Sequence, residues 1–417
     1  MLALLASYAF VGQLTEPGAF GELFDVREPI RLALTPKMDG QMEPEEWDPL
    51  SSSGGLESWM QWEPGVLYLA GKAATGRDIV WSLDLRGDGW LVGRDNLEIR
   101  AAWGPQGPIY TARLLDATQR NGPIWEESPL LEGMLQMAGN QTADSWLCEI
   151  KLLALFLPYI GESSKLALRG NAIESGGATP AAYVPRRTFP LTMSRDRNRG
   201  LPIGMEWVSE YVARSVVPGD SIRIRLNFTN PNRTARFDRI ELRMMGLLKD
   251  STTSTSKPFP SLNRRGRGFV DYETDVASTA TTGYRVMQGK LTDANGQEAI
   301  VETSFLVAPA VVFDVNLPMN TTVKQEGQTI AGSVTIRSQT RLRVDGEFSI
   351  EVPEGWTAPR GGYRKFIIYS SRGSQRVGLQ LVAPQGAQGA FPITFKAKIG
   401  DSVVQTTILL PIRPKAD

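Results

Sequence analysis

The chain reads as an all-β protein of three β-sandwich domains in series. Three observations predict this. Apolar residues recur at period two in run after run, turn signals separate those runs at short intervals, and almost no stretch carries the spacing of an amphipathic helix. The 417 residues suit roughly two to four domains of ordinary size. Forty-one glycines and 27 prolines fit many short strands joined by turns.

Met1-Leu-Ala-Leu-Leu-Ala-Ser-Tyr-Ala-Phe-Val-Gly12 opens the chain. This apolar run is too short to span a bilayer. It is read, with the residues up to 29, as a signal remnant and lead-in, with Ser7-x-Ala9 as the cleavage site; it lacks the basic n-region of a full signal. A first domain is placed at about 30–185. There Ile79, Trp81, Leu83 and Leu85 alternate with Val80, Ser82 and Asp84, and Leu97, Ile99, Ala101 and Trp103 alternate with Glu98, Arg100 and Ala102. The alternation sends Trp81 and Trp103 to the core. Residues 150–157 (Ile-Lys-Leu-Leu-Ala-Leu-Phe-Leu) compete as a short helix, but the polar positions of an amphipathic helix are mostly missing.

Arg186, Arg187, Arg195, Arg197 and Arg199 crowd into 186–202 with little apolar periodicity. That stretch is read as a solvated basic linker. A second sandwich, immunoglobulin-like in pattern, is placed at 203–315. Its clearest strand is Ile222, Ile224, Leu226 and Phe228 alternating with Arg223, Arg225 and Asn227. Phe237–Leu248 supplies a third strand, and Tyr284–Leu306 a hairpin around Asp293-Ala-Asn-Gly296. Ser251–Ser256 and Asn263–Gly268 are read as a long loop. A third sandwich is placed at 316–417.

Composition removes whole classes of chemistry. The chain has no histidine, so no Ser-His-Asp or Cys-His device can be built and the commonest transition-metal ligand is missing. Its single cysteine, Cys148, permits no intrachain disulfide and no cysteine metal cluster; flanked by Trp146, Leu147 and Ile150 it reads as a buried strand residue. Forty-five basic and 45 acidic residues cancel, so no global field draws the chain to nucleic acid or an anionic membrane. No segment is long and apolar enough for a membrane span.

Two acidic segments carry the functional signal. One is Asp39-Gly-Gln-Met-Glu-Pro-Glu-Glu-Trp47. The other is Asp84-Leu-Arg-Gly-Asp-Gly-Trp-Leu-Val-Gly-Arg-Asp-Asn-Leu-Glu-Ile-Arg100, a Gly-rich acidic turn that carries an aromatic residue and opens into a strand. Together they resemble the family 9 carbohydrate-binding module and its DOMON-like relatives, over about 30–185. The resemblance implies a jelly-roll-type sandwich that binds a polysaccharide or oligosaccharide. In some members a metal is bracketed near these loops. The last hundred residues, with Val352-Pro-Glu-Gly-Trp356, Gln375–Pro384 and Gly389–Ala397, resemble the NEW3-type immunoglobulin-like domain, which implies a spacer without chemistry of its own.

Sugar binding needs flat aromatic faces and flanking hydrogen-bonding groups. Trp59, Trp62, Trp90 and Trp125 are the tryptophans expected at the surface, and Arg94 and Asn96 add polar contacts beside Trp90. Trp47 and Glu149 are expected in structural roles. Asp84, Asp88, Asp95 and Glu98 form a candidate calcium set, since calcium takes carboxylate and carbonyl oxygens from turns; the competing reading is that Asp88 and Asp95 shape turns through their own backbone. No cofactor is required. The expectation is a non-catalytic, exported, bacterial carbohydrate-binding protein, able to associate with carbohydrate-active enzymes. Two rivals remain: a structural or adhesive surface protein, and an accessory subunit of a glycoside hydrolase or the hydrolase itself, which would need two carboxylates across one cleft.

Overall fold

The computed structural model describes residues 30–43, 45–88, 95–116, 124–127, 134–153, 158–177, 189–211, 215–230, 237–245, 254–260, 262, 266–276, 280–318, 321–322, 328–340, 343–369, 373–400 and 402–413. The signal reading of the first 29 residues lies outside that set. The described residues form strands and turns with no helix, which bears out the all-β, multi-sandwich expectation. The chain groups into two compact units. One holds residues 1–212, Arg223–Tyr272 and Gly283–Phe305; the other holds Ala213–Ile222, Glu273–Thr282 and Leu306–Asp417.

The first sandwich has twelve strands: β1 (Ile30–Arg31), β2 (Asp48–Ser53), β3 (Leu56–Glu63), β4 (Val66–Ala74), β5 (Arg77–Asp84), β6 (Asn96–Gly104), β7 (Gly107–Asp116), β8 (Ile124–Glu127), β9 (Leu135–Gln141), β10 (Ser145–Leu153), β11 (Lys165–Glu174) and β12 (Phe189–Met193). One sheet runs β1-β12-β11-β5-β6-β7-β8 and the other β2-β3-β4-β10-β9. Ile79, Trp81 and Leu83 of β5 sit opposite Ala101, Ile99 and Leu97 of β6. They bury against Met60, Trp62, Leu67, Leu69, Cys148 and Ile150 of the second sheet. A Cβ at position 71 would lie 2.7 Å from Trp81, so only glycine lets that indole lie flat on β4. Residues 150–153 continue β10, paired with β4 and β9. No helix forms there, because Ile150 and Leu152 face the core while Lys151 faces the other way; residues 154–157 lie outside the described set.

Nine more strands follow: β13 (Asp196–Arg199), β14 (Glu206–Tyr211), β15 (Ser215–Val216), β16 (Ser221–Asn230), β17 (Phe237–Met245), β18 (Thr255–Pro258), β19 (Gly266–Asp275), β20 (Gly283–Asp293) and β21 (Glu298–Val307). The hairpin expected around Asp293–Gly296 is present as β20–β21. The Asp293 carboxylate accepts the amides of Asn295 and Gln297 and shapes the turn.

Within the basic stretch 186–202, the described residues from 189 on do not form a solvated linker, and Arg186 and Arg187 lie outside the described residues. Residues 189–193 and 196–199 are β12 and β13. Arg197 is only 7% exposed and donates to Asp48 (3.0 Å to each oxygen) and Glu302 (2.7 Å). Its two carboxylates come from strands 149 and 105 residues away in sequence. Local composition therefore shows a run of charge where the fold makes a neutralised, buried joint. The same joint holds Arg31, which is fully buried and donates to the Pro49 carbonyl, and Gln288, which donates to Glu302 at 2.6 Å.

The C-terminal sandwich pairs a four-stranded sheet (Val311–Asn316, Thr329–Ser338, Ser374–Val382, Thr357–Arg360) with a five-stranded one (Thr321–Thr322, Ser402–Arg413, Gly389–Ile399, Val344–Glu351, Tyr363–Ile368). Phe348 and Phe395 stack in its core with ring centres 6.3 Å apart. Trp356 follows a turn in which Gly355 has φ +80°, and its indole is buried against Phe391.

Candidate functional site

The β5–β6 turn builds an acidic rim on the first sandwich. Asp84 ends β5, and one of its carboxylate oxygens accepts the amides of Arg86 (3.1 Å) and Gly87 (2.8 Å). The turn is led by Asp84 rather than by Asp88 or Asp95, the two aspartates expected to shape turns. Gly87 takes φ +63° there, a conformation that glycine adopts without strain. The Leu85 amide donates to the Asp95 carbonyl at 2.9 Å, closing the base of the loop. As a result Asp84, Asp88 and Asp95 each bring a carboxylate oxygen within 4.8 Å of the others. Asp84 and Asp95 are buried and Asp88 is exposed.

Asp95 is 2% exposed, yet neither of its carboxylate oxygens meets a hydrogen-bond donor. Burial raises its pKa above the ordinary carboxylate range, and the charges of Asp88 and Asp84 push the same way. Three carboxylates at this reach are residues that could hold a hard cation, which takes carboxylate oxygens. Glu98, the fourth expected ligand, is not among the three converging acids. It lies on β6 opposite Ser82 and is ion-paired with Arg113, whose Nε donates to it at 3.1 Å. The alternation that puts Leu97 and Ile99 inward sends Glu98 to the outer sheet face, away from the turn.

The aromatic expectations divide. Trp62 is a correction, because it is fully buried and its indole nitrogen donates to the Arg31 carbonyl at 2.7 Å. Its neighbours in Glu-Ser-Trp-Met-Gln-Trp-Glu obscure the alternation, since Met60 and Trp62 share the core face. Trp59 is half-buried on the opposite face, packed on the cluster of Trp47, Val66, Tyr68 and Ala70. Asn96 is fully buried, paired across the ladder with Asp84 rather than held out toward a ligand. Trp90 and Arg94 lie outside the described residues. Trp125 lies in β8, but its side chain is outside them.

Trp47 is buried as expected, and Glu149 does structural work in accepting the Gly40 amide at 2.7 Å. Two features escaped the sequence reading: the Arg31–Asp48–Arg197–Glu302 joint, and a buried carboxylate at Glu46. The only local sign of the second was an acidic residue directly before a core tryptophan.

No family model matches the chain, and neither does any curated protein. Among solved structures it is similar to a family 9 carbohydrate-binding module from Caldicellulosiruptor kristjanssonii in complex with cellotriose. The identity is 12%, over 40% of this chain and 93% of that one, with a TM-score of 0.28. It is also similar to red sea bream transglutaminase, at 10% identity over 85% of this chain and 58% of that one, TM-score 0.36. A third is Salmonella alpha-2-macroglobulin, at 9% identity over 93% of this chain and 30% of that one, TM-score 0.26.

Proposed function

We propose that this is an exported, non-catalytic carbohydrate-binding protein whose first sandwich takes a polysaccharide or oligosaccharide at the Asp84–Asp95 rim, with calcium as the structural ion. The observation that carries this reading is the convergence of Asp84, Asp88 and Asp95 around a buried carboxylate that lacks a donor. A calcium ion there would be held by these three side chains, and it would supply charge neutralisation. Asp88 and Asp95 flank the six residues 89–94 in sequence, so holding both acids ties down the ends of the run that carries Trp90 and Arg94. An aromatic face for a pyranose and a guanidinium for its hydroxyls fit that role. The other sandwiches serve as spacers, and a carbohydrate-active enzyme is the natural associate.

The burial of Trp62 and Asn96 favours a second reading, a structural surface protein without sugar binding. Binding of the full chain to a glycan panel, with and without EDTA, separates the two. Saturable binding that Trp90→Ala or Trp125→Ala removes, and that Asp95→Asn makes insensitive to EDTA, supports the first. A folded chain that binds no glycan on the panel supports the second.

A further inference from the structure

Residues 37–43 form a strap on the outer face of the five-stranded sheet, and two buried carboxyls hold it down. The β-ladders align Trp59, Ala70, Glu149 and Ala138 in one row across β3, β4, β10 and β9. Met38 and Met42 of the strap pack on Trp47, Val66, Tyr68 and Ala70. Gly40, between them, has φ +73°, and a Cβ on it would stand 2.9 Å from the Gly139 carbonyl. The Gly40 amide donates to Glu149 at 2.7 Å. The Asp39 amide also acts on Glu149, and the Lys37 amide acts on Glu46. The strap's main chain is therefore tied at both its start and its middle to carboxyl groups.

Both carboxyls are dry: Glu149 is 0% exposed and Glu46 is 1% exposed. An ionised carboxylate that has lost its water is expensive, and a proton removes that cost. For Glu46, burial outweighs the charge and the amide of Lys37, while the charges of Asp39 and Glu43 add to it. Arg285 on β20 also feels the charge of Glu46. For Glu149, burial outweighs the amides of Gly40 and Asp39, while the charges of Asp39 and Glu46 add to it. In the sheet beneath, Cys148 adjoins Glu149, and the rows on either side carry Tyr68 with Lys151 and Glu57 with Lys72. The balance raises both carboxyls to about 7.

We propose that Glu46 and Glu149 make residues 37–43 a pH-operated strap, closed on the sheet while the two carboxyls are protonated and released when they ionise. The sign follows from proton linkage. The closed strap binds these protons more tightly than an open one, whose glutamates titrate near the ordinary 4.5. Closure is therefore most stable below that value, and its stability drains away as the pH rises to about 7. Release uncovers the Trp47 cluster. The inference depends neither on the carbohydrate reading nor on the Asp84–Asp95 rim.

Hydrogen exchange of the full chain tests this, with the Gly40 amide as probe and β6 as the internal reference. Rates are taken from pH 5 to pH 8 and corrected for the intrinsic rise of exchange with pH. Protection at Gly40 should fall by about tenfold or more across that range while β6 keeps its own, because one unit of pKa shift is a factor of ten in the opening equilibrium. Glu46→Gln and Glu149→Gln each remove one titration and keep the side-chain shape, so each should flatten the fall. Asp39→Asn, at an exposed position, removes a charge that acts on both carboxyls and should raise protection at pH 8 without changing it at pH 5. Should a Gln variant fail to fold, Asp39→Asn and the unaltered chain carry the test. Gly40 protection that is constant with pH, a fall of the same size in both folded Gln variants, or a parallel fall in β6 overturns the proposal.

Discussion

Replacing Arg197 with methionine tests the joint between the first sandwich and the strands that follow it. Arg197 makes three charge-assisted hydrogen bonds, two to Asp48 at 3.0 Å and one to Glu302 at 2.7 Å. The side chains are 8%, 9% and 7% exposed, so water replaces little of what is lost. Removing one partner of a buried pair typically costs about 3–5 kcal/mol, because the remaining charge stays desolvated. Two features soften the loss: Arg31 acts on Asp48 through its charge, and Gln288 still donates to Glu302. The expected cost is therefore at the low end, about 3 kcal/mol, or roughly a hundredfold in the unfolding equilibrium.

Guanidinium unfolding followed by tryptophan fluorescence measures that cost. Of the ten tryptophans, only Trp356 lies in the second compact unit, so the signal reports the first. The midpoint should fall with the slope unchanged. Adding Asp48→Asn and Glu302→Gln to Arg197→Met should recover part of the loss, since the stranded charges are then gone. A loss below about 1 kcal/mol, the range of solvent-exposed pairs, would refute the claim that this network is buried and mutually dependent.

Two further outcomes follow from burial. Cys148 is fully enclosed and burial holds its thiol well above the ordinary range, so the native chain should resist a thiol-specific disulfide reagent at mildly alkaline pH and react with one equivalent in urea; fast reaction of native protein would mean that β10 opens locally. Trp62→Phe should cost about 2–3 kcal/mol, through the lost bond to the Arg31 carbonyl and the smaller ring in a packed core. It should leave glycan affinity unchanged in the same binding assay, whereas a folded variant with lost affinity would place Trp62 at the ligand after all.

The sequence by itself determined the all-β class, the core faces of β5 and β6, the hairpin at Asp293–Gly296 and the acidic character of the β5–β6 turn. Each of these depends on neighbours within a few residues, where alternation and turn chemistry act directly. Tertiary structure alone decided the rest. It separated Glu98 from Asp84, Asp88 and Asp95 by pairing it with Arg113 across the ladder. It buried Trp62 while leaving Trp59 half open, although the two are three residues apart. It also turned Arg197, in a stretch that reads locally as a basic linker, into part of a buried joint, because the carboxylates that neutralise it arrive from strands more than a hundred residues distant. Charge and aromaticity can be read locally, but solvation depends on what the folded chain places opposite each side chain.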